Sequence, residues 1–219
     1  MKLKVAVITG HHIHDVINFH KLWNSISGIE PYIQHMEDFC SSNDTVRDSY
    51  DCIVFYMMVV EEIKDEMPWY WGKPKSALEH LGSKKQGIVI LHHTLWAYEK
   101  WPYFSELLGM PDRKASGYHA DQKINVRIVD TKHPITRGLK DWTLTDETYE
   151  ITEPGSGNKV LIELEHPQSI KAGAWVRKHK NSRLFCCVLG HDNKSWEDAN
   201  FRELLRRGVF WSADSESKK

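Results

Sequence analysis

Histidines follow three apolar segments of this chain at the point where each segment ends. Three of them come after LKVAVITG, His92 and His93 come directly after GIVIL, and His191 follows FCCVLG. Histidine titrates near neutral pH and is the commonest metal ligand in proteins. The carboxyl ends of parallel strands meet at one edge of a sheet, where the ligands of such folds bind. We therefore expect the three histidine groups to share one site suited to acid/base catalysis.

Two adjacent carboxylates lie in the segment DETYE, residues 146–150. On a strand, Asp146 and Glu147 would point to opposite faces, so we expect only one of them to enter the site. The other would be a solvated or capping group. A carboxylate inside the site could orient a histidine or act itself as a general acid or base.

The sequence leaves metal binding open. Histidines with one carboxylate can hold zinc or manganese. The chain contains neither an H-x-x-x-H pair nor a C-x-x-C pair. A divalent metal is therefore a cofactor that the residue types permit and that no motif requires.

Aromatic side chains are expected in loops beside these polar groups. Trp69, Tyr70 and Trp71 share one loop, Trp96 follows the histidine pair, and Trp196 follows GHDNKS. A flat aromatic wall next to hydrogen-bonding groups suits a sugar ring, which has apolar faces and hydroxyl edges. The pattern suggests a pocket for a small-molecule sugar.

The composition is that of one globular domain. The chain has 219 residues, 41% of them hydrophobic and 27% charged, with a net charge of −1. This balance gives no reason to expect nucleic acid or a membrane as partner, and the apolar run CIVFYMMVV is too short to span a bilayer. The four cysteines form no C-x-x-C motif and are interpreted as reduced packing residues, which favours a cytoplasmic protein without a signal peptide. We expect a single domain over residues 1–219 with a frayed tail at 214–219.

Apolar patterns indicate the elements that position these residues. Strands are predicted at 3–9, 31–39, 51–58, 87–91, 123–130, 159–166, 173–179 and 183–191. Helices are predicted from Asp15 to Gly28, over 74–84 and over 198–213, and HKNS (179–182) is predicted as a hairpin turn. Strands and helices alternate in the first half, which is typical of an α/β fold with a parallel sheet covered on both faces.

Several motifs together resemble the trehalose-utilisation (ThuA-like) family nearly end to end. They are TGHHIHD, GIVILHHT, HPITRGLKDWTLTDETYE, GAWVRKHKNSRLFCCVLGHDNKSW and FRELLRRGVFWSA. The resemblance implies the class I glutamine amidotransferase-like superfamily and its flavodoxin-like three-layer sandwich, with a mainly parallel, doubly wound sheet. In that superfamily a nucleophilic cysteine occupies a tight strand-to-helix turn. Here LHHT places His92 or His93 at that turn, so we expect no amidotransferase activity.

The family resemblance selects the candidate site residues. The catalytic candidates are His14, His92, His93, Asp146, Glu147, His191 and Asp192. The substrate-binding candidates are Asp15, His119, Tyr149, Trp196 and Trp96. His12 falls outside the family motif.

Two functions remain open at this point. The first is an enzyme, or a component of one, that acts on a disaccharide or keto-sugar by histidine–carboxylate chemistry, with or without a metal. The second is a non-catalytic sugar-binding or regulatory module on the same fold. No G-x-G-x-x-G follows the first strand, so redox chemistry would need a separate dehydrogenase as partner. A homo-oligomer is a further partner state that the sequence leaves open.

Overall fold

The computed structural model describes residues 2–214 of the chain. Within them the strands are β1 Leu3–Gly10, β2 Ile29–His35, β3 Cys52–Met57, β4 Gly87–Leu91, β5 Ala115–Ile128, β6 Trp142–Ile151, β7 Lys159–Glu165, β8 Ala172–His179 and β9 Ser182–Cys187. The α-helices are α1 Val16–Ser25, α2 Met36–Ser41, α3 Asp44–Arg47, α4 Pro74–Glu79, α5 Pro102–Leu108, α6 Asn193–Trp196 and α7 Ala199–Ser212. Two 3₁₀ helices span Trp69–Trp71 and His92–Trp96.

All of these strands belong to one mixed sheet with the order β2-β1-β3-β4-β9-β8-β7-β5-β6. The strands from β2 to β9 are parallel to their neighbours, in the order found in flavodoxin-like sheets. From β9 to β6 every pairing is antiparallel. The expected α/β fold is confirmed, but the sheet is mixed rather than mainly parallel. The second half lacks the crossover helices that parallel pairing requires, and hairpins give antiparallel neighbours.

The parallel half is buried on both faces. Every residue of β3 and β4 is buried, which explains their continuous apolar sequences. Helix α1 covers one part of this half with Phe19, Leu22 and Trp23. Helix α7 approaches β9 closely, because a Cβ on Gly208 would lie 2.3 Å from the ring of Phe185. A larger residue than glycine at this point of α7 would force the helix away from the sheet.

Three predicted elements differ from the structure. Residues 31–39 contain the end of β2 and the start of α2, because His35 caps α2 by accepting a hydrogen bond from the backbone N–H of Glu37. The predicted helix 74–84 ends at Glu79. Strand β5 begins at Ala115, well before the predicted start at 123, because its first half is polar and mostly exposed. The predicted hairpin turn is confirmed, with His179 paired to Ser182.

The end of the described chain is anchored. The carboxylate of Asp214, expected in a frayed tail, contacts Lys85 Nζ at 2.5 Å and Arg183 Nη2 at 2.9 Å. The rest of that predicted tail, residues 215–219, lies outside the described residues. Across residues 2–214, the helices are too short or too polar to pass through a bilayer.

Candidate functional site

The three histidine groups follow strands that lie side by side. Strands β1, β3, β4 and β9 are consecutive in the sheet and run parallel, so the segments after β1, β4 and β9 emerge at the same edge. The residues from β6 reach the same edge even though β6 is last in the sheet order. Register shifts between His119 and Gln122 interrupt the pairing of β5 with β6, and such bulges bend a strand pair.

His92 occupies a tight turn directly after β4. Its φ is 52°, a left-handed conformation that is uncommon for a residue with a side chain, and the 3₁₀ helix starts at the same residue. Thr94 ties this turn to β3, since its hydroxyl donates to the Phe55 carbonyl and accepts from the Met57 N–H. The ring of His92 is fully buried, and its Nδ1 lies 2.7 Å from the carbonyl oxygen of Val188. That contact requires a proton on Nδ1.

Three ring and carboxylate atoms meet at the other side of the His92 ring. His92 Nε2 lies 3.1 Å from His191 Nδ1 and 3.3 Å from an Oε atom of Glu147. The same glutamate oxygen lies 3.4 Å from His191 Nδ1. We call these three residues the His–Glu triangle. His92 and Glu147 are buried, while His191 is half-buried and opens the triangle to solvent.

Tyr149 supports the triangle from below. Its hydroxyl lies 2.5 Å from His92 Nε2. Burial, followed by the nearby charge of Glu147, raises the pKa of Tyr149 well above its ordinary value, so the phenol stays a hydrogen-bond donor. Glu147 and Tyr149 are two residues apart on β6, which places both on one face of the strand.

Glu147 remains ionised in this setting. Burial alone would raise its pKa, but the hydrogen bond from His92 and the charges of His92 and His191 outweigh that effect. The pKa of Glu147 is therefore lowered. A carboxylate held between two imidazoles can orient them for proton transfer or join them in binding a cation.

Asp146 has a different role from its neighbour. Its carboxylate is buried and accepts hydrogen bonds from the backbone N–H of Gly190 at 2.7 Å and of His191 at 3.0 Å. Burial raises its pKa, against the effect of His92 and of the amides that bind it. Asp146 is thus the capping member of the predicted pair, and it is buried rather than solvated. Tyr56 and Trp196 complete the support by donating to the carbonyls of His191 and Gly190.

A second pair of histidines lies beside the triangle. The rings of His12 and His93 stack with centroids 4.0 Å apart, and His12 also meets the edge of His191 at 5.9 Å. Burial lowers the pKa of both rings, and neighbouring histidines lower it further. His12 is the site residue that the sequence did not select. GHHIHD offered three histidines, and which of them turns inward depends on the loop backbone.

His14 takes a position outside this group. Its ring packs against Phe19 at 4.9 Å and Tyr56 at 5.9 Å instead of joining the other histidines. Asp15 and Asp192 are helix caps: Asp15 caps α1 and Asp192 caps α6. The structure thus gives local structural contacts to three of the residues predicted for the site.

The remaining predicted residues divide in the same way. His119 lies on β5 and its Nε2 is 2.9 Å from a carboxylate oxygen of Glu150, away from the triangle. Trp196 is a core residue rather than a pocket wall. Trp96 is half-buried beside the rings of Tyr118 and Tyr149, at 6.5 and 5.6 Å, and so remains available at the rim.

The chain is similar to known proteins over nearly its whole length. The sequence model of the trehalose-utilisation family (ThuA) matches residues 9–212. A solved ThuA-like protein from Parabacteroides merdae is 19% identical, with 98% of this chain and 91% of that chain covered and a TM-score of 0.75. A ThuA-like protein from Bacteroides uniformis is 17% identical, with coverages of 96% and 91% and a TM-score of 0.73. A GMP synthase protein from Thermoplasma acidophilum is 12% identical, with coverages of 100% and 97% and a TM-score of 0.60. No protein of curated function shows significant sequence similarity to the chain. At these identities the structural likeness extends to the fold, which ThuA-like and amidotransferase-like proteins share.

Proposed function

Because the chain belongs to the trehalose-utilisation (ThuA) family, we propose that it is a carbohydrate-processing enzyme acting on a disaccharide or keto-sugar by histidine–carboxylate acid/base chemistry. The observation that carries the proposal is the contact of one buried carboxylate, Glu147, with two imidazoles. Titratable groups that share a buried contact at a sheet edge are a common mark of catalytic sites.

The residues of the site divide into three roles in this proposal. His191 is the proton-transfer group that faces the sugar, because it is the part of the triangle open to solvent. Glu147 orients His191, and Tyr149 holds His92 in place. Asp146 is a positioning residue, since it binds the backbone of His191 and not its ring. Trp96 and the loop aromatics would form the wall against which a sugar ring packs.

The proposal excludes glutamine amidotransferase chemistry. The turn after β4 carries His92, and the described cysteines are all free and buried. Burial raises the pKa of Cys40 and of Cys187 to about 12, so neither is a thiolate at neutral pH.

The wider setting is also part of the proposal. It takes the protein to have the three-layer, doubly wound form of the flavodoxin-like fold and to work in the cytoplasm on a small sugar. The chain has no dinucleotide-binding glycine motif, so any redox step on that sugar belongs to a separate dehydrogenase.

Sugar turnover tests the proposal. Purified protein would be incubated with trehalose and with its 3-keto derivative, and the products followed by NMR. Glu147→Gln keeps the shape of the side chain and removes its charge, so we expect turnover to fall by roughly 10²-fold or more. Glu150→Gln is the matched control, because Glu150 also lies on β6 and also contacts a histidine, His119. Its turnover should stay near that of the unaltered protein.

A different outcome would favour the sugar-binding module. In that case sugars would raise the melting temperature, as any ligand of the folded state does, and every sugar would be recovered unchanged. Equal turnover by the Glu147→Gln and Glu150→Gln proteins would remove the assigned chemistry from the His–Glu triangle.

A further inference from the structure

We infer that the His–Glu triangle is a binding site for one divalent transition-metal cation, with Zn²⁺ as the best fit. The three atoms that would bind it are His92 Nε2, His191 Nδ1 and an Oε atom of Glu147, separated by 3.1, 3.3 and 3.4 Å. Ligands at about 2.0–2.1 Å from a tetrahedral zinc ion lie about 3.3 Å from one another. The triangle therefore already has the dimensions of one face of a zinc coordination sphere. This inference goes beyond the proposed function, since it does not depend on the identity of the substrate.

The hydrogen bond on the far side of His92 prepares that ring to bind a metal. Nδ1 donates to the carbonyl of Val188, so in the neutral ring Nε2 carries the lone pair and points into the triangle. Metal-binding histidines usually make this contact with their second nitrogen, which fixes both the tautomer and the ring orientation. His92 is fully buried, so its position is set before any ligand arrives.

Buried nitrogen atoms beside the triangle supply a second observation. Both ring nitrogens of His93 are buried and have no hydrogen-bond partner within residues 2–214, and the same is true of His12 Nδ1. His93 is 1% exposed. A buried polar atom without a partner is destabilising by about 1–3 kcal/mol. The water molecules that complete the shell of a zinc ion are suitable partners for these nitrogens.

Tyr149 is compatible with a bound cation. Its hydroxyl lies 2.5 Å from His92 Nε2, the atom that the metal would take. The same hydroxyl also interacts with the carboxylate of Glu147. The phenol therefore keeps a hydrogen-bond partner when the lone pair of His92 turns to the cation.

The ligand set selects the class of ion. Two imidazoles and one carboxylate suit zinc, manganese or iron(II), whereas Mg²⁺ and Ca²⁺ prefer oxygen ligands throughout. Three protein ligands leave a coordination position open, as in catalytic zinc sites, and the half-buried His191 lies on the open side.

Metal titration of the chelator-treated protein tests the inference. After dialysis against Zn²⁺ and then metal-free buffer, elemental analysis should give about one zinc per chain. Co²⁺ should give the intense visible bands of a low-coordinate site. His191→Ala and Glu147→Gln should each weaken Zn²⁺ binding by more than about tenfold. His119→Ala and Glu150→Gln are the matched controls, since this second histidine–glutamate pair on β5 and β6 has a 2.9 Å contact and no third ligand among the described residues. Circular dichroism would verify that all four variants are folded.

Two results would overturn the inference: zinc far below one equivalent in the unaltered protein, or equal zinc binding by the triangle variants and their controls. Binding and turnover are measured separately. A protein that binds zinc and converts no sugar keeps this site and loses the proposed function, and a protein that converts sugar without binding zinc does the reverse.

Discussion

The parallel and antiparallel halves of the sheet contribute to the site in different ways. Strands β3 and β4 are buried at every residue, whereas β5 is mostly exposed at its start and alternates buried with exposed residues toward its end. The parallel half supplies residues that follow its strands, such as His92 and His191. The antiparallel half supplies Glu147 and Tyr149 from within a strand, β6. Loop histidines become rigid here because the turn amides, carbonyls and hydroxyls around them are bonded to neighbouring strands.

The largest expected effect is on the buried parallel half. Val89→Asp or Leu91→Asp places an unpaired charge among fully buried neighbours, and we expect either change to unfold the protein. Lys123→Asp, on an exposed position of β5, should alter the free energy of unfolding by no more than about 0.5 kcal/mol. Circular dichroism and solubility measure both. Folded, soluble β4 variants would show that this strand is not the core of the sheet.

The next effect tests how the two halves are joined at the site. Asp146→Asn should lower the free energy of unfolding by about 1.5–3 kcal/mol, because an amide cannot replace a carboxylate that accepts several backbone N–H groups. Asp192→Asn is the control, since asparagine caps a helix as well as aspartate does. Chemical denaturation compares them. Similar stability of the two variants would contradict the positioning role of Asp146.

A smaller effect concerns a histidine outside the site. Burial lowers the pKa of His179 to about 4, with the charges of Lys180 and Arg177 as further causes. The unfolded chain therefore binds a proton between pH 6.5 and 4 that the folded protein does not bind. The resulting stability is present above pH 6.5 and is lost as the pH falls toward 4.

His179→Gln removes this titration. Between pH 7 and pH 4.5, its melting temperature should fall by about 2–4 °C less than that of the unaltered protein, corresponding to about 1 kcal/mol. Calorimetry at several pH values measures the two slopes. Parallel slopes would mean that His179 is protonated in the folded protein.

The smallest effect is expected at the cysteines. Replacing all four cysteines by alanine or serine should leave sugar turnover intact apart from packing losses, because none lies at the turn after β4. The unaltered protein should release no ammonia from glutamine. Thiol labelling of the native fold should also be very slow. Measurable glutaminase activity would show that the amidotransferase reaction survives on this fold.

The sequence predicted the parallel half better than the rest. A strand buried on both faces is a continuous apolar run, so GIVIL and its end at His92 could be located without a structure. The first half of β5 could not be predicted, because it is polar and is held by pairing with β6. His12 was missed for a related reason. Its direction depends on backbone angles in the preceding turn, where Gly10 has φ 145° and His11 has φ 58°.

The place of β9 in the sheet has a consequence for the birth of the molecule on the ribosome. This strand, Ser182–Cys187, lies between β4 and β8 and so joins the two halves. The triangle partners His92 and His191 are 99 positions apart in the chain. A nascent chain can pair β1 to β4 early, but the edge of β4 has no native neighbour until β9 has been synthesised. Such an open, apolar edge is a hazard for aggregation, and long-range pairing of this kind is slow. Translation pauses or chaperones acting before residue 182 should therefore affect the yield of active protein more than those acting later.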